Sequence, residues 1–202
     1  MKISGVILLI TLNITLLFGQ KQEGVWSLGG TFRFSGNSTP AYHSSYGGFQ
    51  LITSTGYFYT NNNMYGLVFG PEYTKYNYSS PSVNPNSYSL GLIFGPFLRQ
   101  YKRTGNGQFG FFLEELVMAE FLNSYISWPH PSRKQFYGQV YIRPGIYAFI
   151  GKHIAVEATF AELFYNYYRT PYTSVNYGLS MTASTLRFGV RYYFQRNLLK
   201  KL

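Results

Sequence analysis

The segment from Leu186 to Phe194 alternates in side-chain character at every residue. Its even-numbered positions are large and apolar: Leu186, Phe188, Val190, Tyr192 and Phe194. Its odd-numbered positions include two arginines, Arg187 and Arg191, and the smallest residue, Gly189. Because successive side chains of a β-strand point to opposite faces, the segment predicts a strand with one apolar face and one charged face. That pattern is typical of a wall between lipid and a polar interior, which is the reverse of a soluble protein.

The same segment carries a second signal. The spacing of Arg187, Gly189, Tyr192 and Phe194 resembles the C-terminal signal that the insertion machinery of bacterial outer membranes reads on β-barrel proteins. The resemblance implies that this machinery is a partner of the chain and that these four residues form its insertion signal.

The composition fits a membrane-embedded β protein. Aromatic residues make up 20% of the 202 residues, and charged residues make up only 12%, about half of the usual share. Transmembrane barrels use aromatic side chains at both membrane interfaces. The chain has no cysteine and no aspartate, so disulfides and thiolate metal sites are excluded, and no cofactor is predicted.

The N-terminus predicts export from the cytoplasm. Met1 and Lys2 form a short positive start, and residues 3–18 form an apolar run before Gly19. We interpret residues 1–19 as a secretory signal peptide, with the cleavage site open by a residue or two. A retained membrane helix is the alternative, but the run is shorter than the roughly 20 residues that a spanning helix needs. No later apolar run is long enough to span, so strands that enter a membrane must close into a barrel.

Turn-forming residues divide the remaining chain into eight alternating segments. They cover residues 24–35, 48–59, 64–76, 88–100, 108–121, 136–150, 154–165 and 178–194. Long connections at 36–47, 77–87, 122–135 and 166–177 alternate with short ones, as in a barrel with external loops and periplasmic turns. The predicted fold is an all-β, eight-stranded antiparallel up-and-down transmembrane β-barrel over residues 20–194. Residues 195–202 are predicted to form a short basic C-terminal tail.

The alternation predicts a charged lumen. The side chains expected to point inward and to form a network of ion pairs are Arg33, Glu72, Arg99, Glu114, Glu120, Arg143, Glu157, Arg187 and Arg191. The interior of an eight-stranded barrel is filled by side chains, so this network predicts a plug rather than a channel. The register of the fifth strand is ambiguous because Glu114 and Glu120 share a face and Glu115 lies on the other. We expect Glu114 and Glu120 inside, with a bulge or an interfacial Glu115.

No catalytic site is predicted. The three histidines, His43, His130 and His153, fall in two external loops and one short turn, and no aspartate exists to orient them. Adjacent serine and histidine residues, such as His43 and Ser44, lack the third group that activates a nucleophile. Glycine-rich phosphate loops, zinc spacings and dinucleotide motifs are absent from the sequence.

Several segments together resemble a known family. The stretches GGFQLITSTGYFYTNNNMYGLVFG, LGLIFGPFLRQY, IRPGIYAFIGKHIAVEATF and RFGVRYYF are similar to the small outer-membrane β-barrel domains of Gram-negative bacteria, in particular to the OmpA-type membrane domain. The resemblance implies localisation in the outer membrane. The chain departs from the OmpA type because no periplasmic peptidoglycan-binding domain follows its last strand. The family has no shared catalytic residues to carry over.

The resulting hypothesis is a non-enzymatic outer-membrane barrel with a structural or surface-interaction role. Its expected partners are outer-membrane lipid, lipopolysaccharide, the insertion machinery and an external ligand bound through the four long loops. Export makes nucleic acid a poor partner. The alternatives are a small pore or hydrophobic-solute conduit, a lipid-modifying enzyme and a soluble secreted β-sandwich.

Overall fold

Antiparallel β-strands account for nearly all of the described backbone. The computed structural model describes residues 23–39, 44–78, 87–104, 108–126, 133–150, 153–169, 173–182 and 185–194. Ten strands form within these ranges: β1 (Trp26–Thr39), β2 (Ser44–Phe58), β3 (Asn63–Tyr78), β4 (Ser87–Arg103), β5 (Phe109–Ile126), β6 (Arg133–Phe149), β7 (Ile154–Thr159), β8 (Glu162–Arg169), β9 (Thr173–Ser180) and β10 (Arg187–Phe194). The described part of the chain contains no helix that is long and apolar enough to cross a membrane. The predicted signal peptide and C-terminal tail lie outside the described residues.

The strands close into a barrel with eight wall positions. Each strand from β1 to β6 pairs with the next, and β1 also pairs with β10, which pairs with β7. The strand β6 pairs with β7 and then with β8, so these two short strands occupy one wall position, interrupted at Phe160 and Ala161. Likewise, β9 and β10 share one position, interrupted between Met181 and Leu186. The prediction of an eight-stranded antiparallel up-and-down barrel is confirmed.

The polarity of the wall is inverted relative to a soluble protein. Along β10 the side chains alternate between buried and exposed, so Arg187 is 3% exposed and its neighbour Phe188 is 50% exposed. The exposed outer surface is lined by apolar and aromatic residues on every strand, including Leu28, Leu67 and Phe121. The interior holds the arginines and glutamates. The alternation in the sequence therefore indicated the correct face of each residue of this strand.

The interruption between β7 and β8 reverses the alternation along the chain. In β7 the buried residues are odd-numbered, such as Glu157, whereas in β8 they are even-numbered, such as Glu162 and Asn166. Both Ala161 and Glu162 are buried, which marks the point of reversal. An extra residue in one strand moves every later side chain to the opposite face.

The external hairpins are longer than predicted, and the predicted loop boundaries are wrong. Pairing continues up to Thr39 with Ser44, Tyr76 with Ser87, Ser124 with Arg133 and Arg169 with Thr173. Much of the predicted loops at 36–47, 77–87, 122–135 and 166–177 is therefore strand. Polar residues and asparagines suggested loops, but strands can extend beyond the lipid wherever backbone groups remain paired. Tyrosine and threonine also favour the extended conformation.

Aromatic side chains close the end of the barrel that carries the short turns. Phe58, Met64, Phe112 and Tyr193 are almost completely buried there. The ring centroid of Phe58 lies 5.3 Å from that of Tyr101 and 6.0 Å from that of Tyr193. Short turns face the periplasm in barrels of this kind, so this layer blocks the periplasmic mouth.

A glycine of β4 is required by close packing between strands. A Cβ atom at Gly95 would overlap the backbone carbonyl of Val117 and lie 2.9 Å from the Cα of Met118, both on β5. Glycine in a strand commonly marks such a close backbone approach. In contrast, a Cβ atom at Gly47 would meet nothing within 4 Å.

We therefore expect Gly95→Ala to destabilise the folded barrel by about 1–3 kcal/mol, because neighbouring backbone must shift. Gly47→Ala serves as the matched control and should leave stability unchanged. The measurement is urea unfolding in detergent. The folded fraction at each urea concentration is read from the heat-modifiable migration of the folded form on a gel. Equal unfolding midpoints for the two variants would contradict the packing argument.

Candidate functional site

The lower half of the lumen contains a network of four buried charged side chains. Glu157 accepts a hydrogen bond from Arg99 at 2.7 Å and another from Arg191 at 2.9 Å. Glu114 accepts a second hydrogen bond from Arg99, whose Nε lies 3.1 Å from Oε2. Arg191 also donates to the hydroxyls of Ser27 and Ser54, at 3.2 and 3.0 Å. The three strands β4, β5 and β7 and the closing strand β10 are thereby tied together across the lumen.

Aromatic rings flank the arginines of this network and the neighbouring Arg143. The guanidinium carbon of Arg99 lies 4.3 Å from the ring centroid of Phe112, and that of Arg143 lies 4.0 Å from Tyr141. Cations are attracted to the faces of such rings, most strongly where water is excluded. The aromatic layer and the charged network therefore form one continuous filling.

A second group of charges lies above this network. Glu162 is shared by two arginines, since its Oε2 lies 3.4 Å from Nε of Arg143 and 3.4 Å from Nη2 of Arg187. Nη1 of Arg143 also lies 3.8 Å from Oε1 of Glu114. Arg187 donates a hydrogen bond to the side-chain carbonyl of Gln50. Two guanidinium groups thus compete for one carboxylate.

Three of the predicted lumen residues make different contacts. Glu72 accepts a hydrogen bond from the amide of Gln50, and Glu120 accepts one from Gln139 at 3.0 Å. Within the described part of the chain, Arg33, Glu72 and Glu120 take part in no ion pair. The structure therefore joins Arg99, Glu114, Arg143, Glu157, Arg187 and Arg191 by ion pairs but not these three.

Glu162 is the lumen residue that sequence reasoning missed. Continuous alternation from Glu157 places Glu162 on the outer face, but the interruption at Phe160 and Ala161 turns it inward. A signal for this was present, because the large apolar residues change from even positions, such as Val156, to odd positions, such as Leu163. A change of parity within one predicted strand indicates a bulge.

The fifth strand has the register that places Glu114 and Glu120 inside and Glu115 outside. Glu115 lies opposite Leu98 and Ile142 on the outer surface. Burial and, to a smaller extent, the carboxylate of Glu115 raise the pKa of Tyr59, which lies in the turn between β2 and β3. Glu115 is therefore near the aromatic interface at the periplasmic side, and β5 needs no bulge.

The four predicted insertion-signal residues all lie on β10, but on different faces. Arg187 and Gly189 face the lumen, and a Cβ atom at Gly189 would lie 2.6 Å from Cγ2 of Thr31. Tyr192 and Phe194 face outward with ring centroids 4.8 Å apart. Recognition by insertion machinery stays a prediction.

The histidines offer no metal or catalytic cluster in the described ranges. There, no three histidine or acidic side chains converge in a geometry that could hold a metal ion. His153 lies in a short turn, with Nδ1 3.1 Å from the backbone oxygen of Tyr193. His43 and His130 lie outside the described residues.

A cavity of about 20 Å³ remains between the charged groups, lined by side chains that include Arg99, Glu157 and Arg187. A cavity of this size holds about one water molecule. It is too small for a solute path through the lumen at this level.

Neighbouring glutamates of β5 provide a direct test of the network. We expect Glu114→Gln to destabilise the barrel by about 3–5 kcal/mol, because it leaves Arg99 and Arg143 short of a buried negative charge. Glu115→Gln is the matched control and should be neutral or slightly stabilising, because its side chain faces the membrane side. Urea unfolding of both variants in detergent measures the difference. Equal destabilisation by the two substitutions would show that the buried ion pairs contribute nothing.

Comparisons with known proteins find similarity at the level of structure. No protein-family model matches the chain, and no curated protein matches it. Neisserial surface protein A is 19% identical, with 85% of this chain and 98% of that chain covered and a TM-score of 0.45. The outer membrane protein OprG of Pseudomonas aeruginosa is 11% identical, with coverage of 86% and 97% and a TM-score of 0.49. The attachment invasion locus protein Ail of Yersinia pestis is 16% identical, with coverage of 85% and 99% and a TM-score of 0.42.

At these identities and TM-scores, the similarities carry no information on activity or partners. The environment of the protein follows from its own surface, which is apolar outside and charged inside, and from a closed antiparallel wall with short turns at one end. Strands satisfy their backbone groups in lipid only by closing into a barrel, which is the architecture of outer-membrane proteins. The chain folds as a small eight-stranded transmembrane β-barrel of the outer-membrane type.

Proposed function

We propose that this protein is a plugged, non-enzymatic barrel that presents a cationic, tyrosine-rich surface to an acidic partner outside the cell. The observation that carries this proposal is the filling of the lumen combined with long hairpins on the external side. A barrel that conducts nothing and catalyses nothing still anchors its hairpins rigidly in the membrane.

The filling of the lumen supports a scaffold rather than a pore. Arg143 is 2% exposed and Arg191 is 1% exposed, so water does not reach the charged network freely. Below it, Phe58 and Met64 are fully buried in the aromatic layer at the periplasmic mouth. An ion crossing the barrel would have to displace both layers.

We therefore expect the purified, refolded protein to give no unitary current steps in planar lipid bilayers. Both the ion-pair network and the aromatic layer would have to open for conduction. A porin reconstituted in the same bilayers is the positive control. Reproducible unitary steps from the folded protein would contradict the plugged barrel and favour a small pore.

The external hairpins have the chemistry of a binding surface. The rings of Tyr88 and Tyr125 stack with centroids 4.8 Å apart, and those of Tyr46 and Tyr76 lie 5.2 Å apart. Asn123 donates a hydrogen bond to the hydroxyl of Tyr125 at 2.7 Å. Tyrosine, serine and asparagine supply rigid contact area and adaptable hydrogen bonds, and binding surfaces of antibodies use the same residue types.

Charge at this end of the barrel selects the kind of partner. The segments 36–47, 77–87, 122–135 and 166–177 contain no acidic residue. The exposed side chains of Lys75, Lys134 and Arg169 lie at or near the external ends of β3, β6 and β8. Surfaces of one sign attract partners of the opposite sign. An anionic polysaccharide outside the cell is the partner that this charge pattern fits.

The test is binding of heparin to the protein in lipid nanodiscs. We expect saturable binding that weakens with salt, and a loss of about tenfold in affinity for the triple variant Lys75→Gln, Lys134→Gln and Arg169→Gln. Lys102→Gln, at the periplasmic end, is the matched control and should bind as the wild type does. Equal binding of uncharged dextran, or unchanged binding by the triple variant, would contradict the proposal.

A further inference from the structure

The wall of the barrel is not closed along its whole height. Residues Trp26 to Phe32 of β1 pair with β10, whereas residues 33–39 have β2 as their one partner among the described strands. The strand β9, which continues the wall position of β10, has β8 as its one partner within the described ranges. Among the described residues, no strand bridges the upper edge of β1 and the free edge of β9. We call this opening the wall gap.

An excursion of the chain produces the wall gap. Glu162 pairs with Ser180, and Thr159 pairs with Arg187. Two residues of the chain lie between Thr159 and Glu162, and six lie between Ser180 and Arg187. Thr182 and Thr185 form a turn within this excursion, with the Thr185 amide donating to the Thr182 carbonyl at 2.9 Å. In the described structure β9 pairs with β8 and not with β1, although it continues the wall position of β10.

The wall gap begins within the membrane. Seven residues of β1 pair with β10, and seven residues of a strand tilted by about 40° rise by roughly 18 Å. The apolar band of such a barrel is about 25 Å tall. Unpaired backbone groups are costly in hydrocarbon, so the gap must contain water or polar groups. It therefore opens the upper lumen sideways toward the outer leaflet.

Three arginines lie at the floor of the wall gap, on the lumen side. Phe32 pairs with Phe188, so Arg33 and Arg187 are the next residues on each side. Arg143 approaches from β6 and meets Arg187 at their shared partner, Glu162. Arg143 and Arg187 share Glu162, and Arg143 also pairs with Glu114, which Arg99 shares. The three arginines therefore carry more positive charge than the carboxylates that pair with them.

Some hydrogen-bond donors of these three arginines have no acceptor in the described structure. The Nε atoms of Arg33 and Arg187 and the Nη2 atom of Arg143 are buried without a hydrogen-bond acceptor in the described structure. Buried polar groups are rarely left without partners, and an unfilled donor marks a place for an unseen ion or ligand. Guanidinium groups match the geometry of a carboxylate, which can accept two parallel hydrogen bonds.

The outer lips of the wall gap are apolar. Phe34, on the edge of β1, is 67% exposed, and Leu179 and Met181, next to the excursion, are exposed to a similar degree. An acyl chain in the outer leaflet would contact these residues. The site thus combines a cationic interior, a polar slot and an apolar exterior.

We propose that the wall gap binds a long-chain fatty acid from the outer leaflet. The carboxylate passes between the unpaired strand edges and binds Arg33, Arg143 and Arg187, while the tail stays against Phe34, Leu179 and Met181. None of the residues proposed to bind the fatty acid is among those tested for heparin binding, Lys75, Lys134 and Arg169, so the two proposals can fail independently.

Fluorescence quenching by 9,10-dibromostearate, added to the protein in nanodiscs, tests the proposal. The two tryptophans are first removed by Trp26→Phe and Trp128→Phe, and one reporter is added by Phe34→Trp at the lip. We expect quenching that saturates. A reporter at Phe94→Trp, on the lipid-facing side of β4, is the matched control and should show only a gradual, non-saturating decrease.

The arginines are tested in the same reporter background. Arg33→Gln is expected to raise the half-saturating concentration at least tenfold, and Arg169→Gln, on an external hairpin, should leave it unchanged. Arg33 takes part in no ion pair of the described structure, so its substitution should preserve folding, which heat-modifiable migration verifies. Arg187→Gln provides a second variant if it folds.

Three outcomes would overturn the proposal: equal quenching of the two reporters, an unchanged midpoint for Arg33→Gln, or equally tight binding of dibromostearyl alcohol, which has no charge. Tighter saturable binding of a brominated lysophosphatidate would also overturn it, because the site would then select a phosphate headgroup.

Discussion

Backbone hydrogen bonding in hydrocarbon is the constraint on which the whole structure depends. Every amide and carbonyl within the lipid must be paired, and strands achieve this only by closing on themselves. The pairing of β1 with β10 performs this closure over the periplasmic half of the barrel. Once the wall is closed, each strand must place one face in lipid and the other in a narrow lumen. The apolar surface and the charged interior are both consequences of closure.

The narrow lumen then determines how the charges are arranged. Removing arginine and glutamate from water is expensive, and only close pairing with further hydrogen bonds offsets that expense. In the lower lumen, Arg99 and Arg191 meet this condition through Glu157 and through neighbouring hydroxyls. In the upper lumen the charges are paired incompletely. Arg143 and Arg187 share Glu162, and Arg33 has no carboxylate partner in the described structure. The surplus of charge lies where the wall is open, which links the two irregularities of the barrel.

The sequence predicted the face on which a side chain lies better than it predicted where strand pairing ends. Strict alternation was sufficient to assign Arg187 and Arg191 to the lumen and Phe188 to lipid, because a strand has a period of two whatever surrounds it. It failed at Glu162, because a local interruption reversed the period. It also failed for the external strands, since polar residues such as Asn77 and Ser124 resemble loop residues but continue the pairing of their hairpins. A pattern of side chains reports the solvent on each face and does not report where backbone pairing ends.

The sequence by itself determined the class of the protein, because alternating faces, a high aromatic content and the absence of cysteine are properties of local residue order and composition. It also determined which charges point inward along regular strands. Only the tertiary structure decided which arginine meets which glutamate, since partners such as Arg99 and Glu157 lie far apart in the chain and meet across the lumen. The wall gap was likewise decided at that level. The gap depends on how β1, β9 with β10, and β7 with β8 pair with one another. The register of such pairs is a property of two strands together and cannot be read from one strand alone.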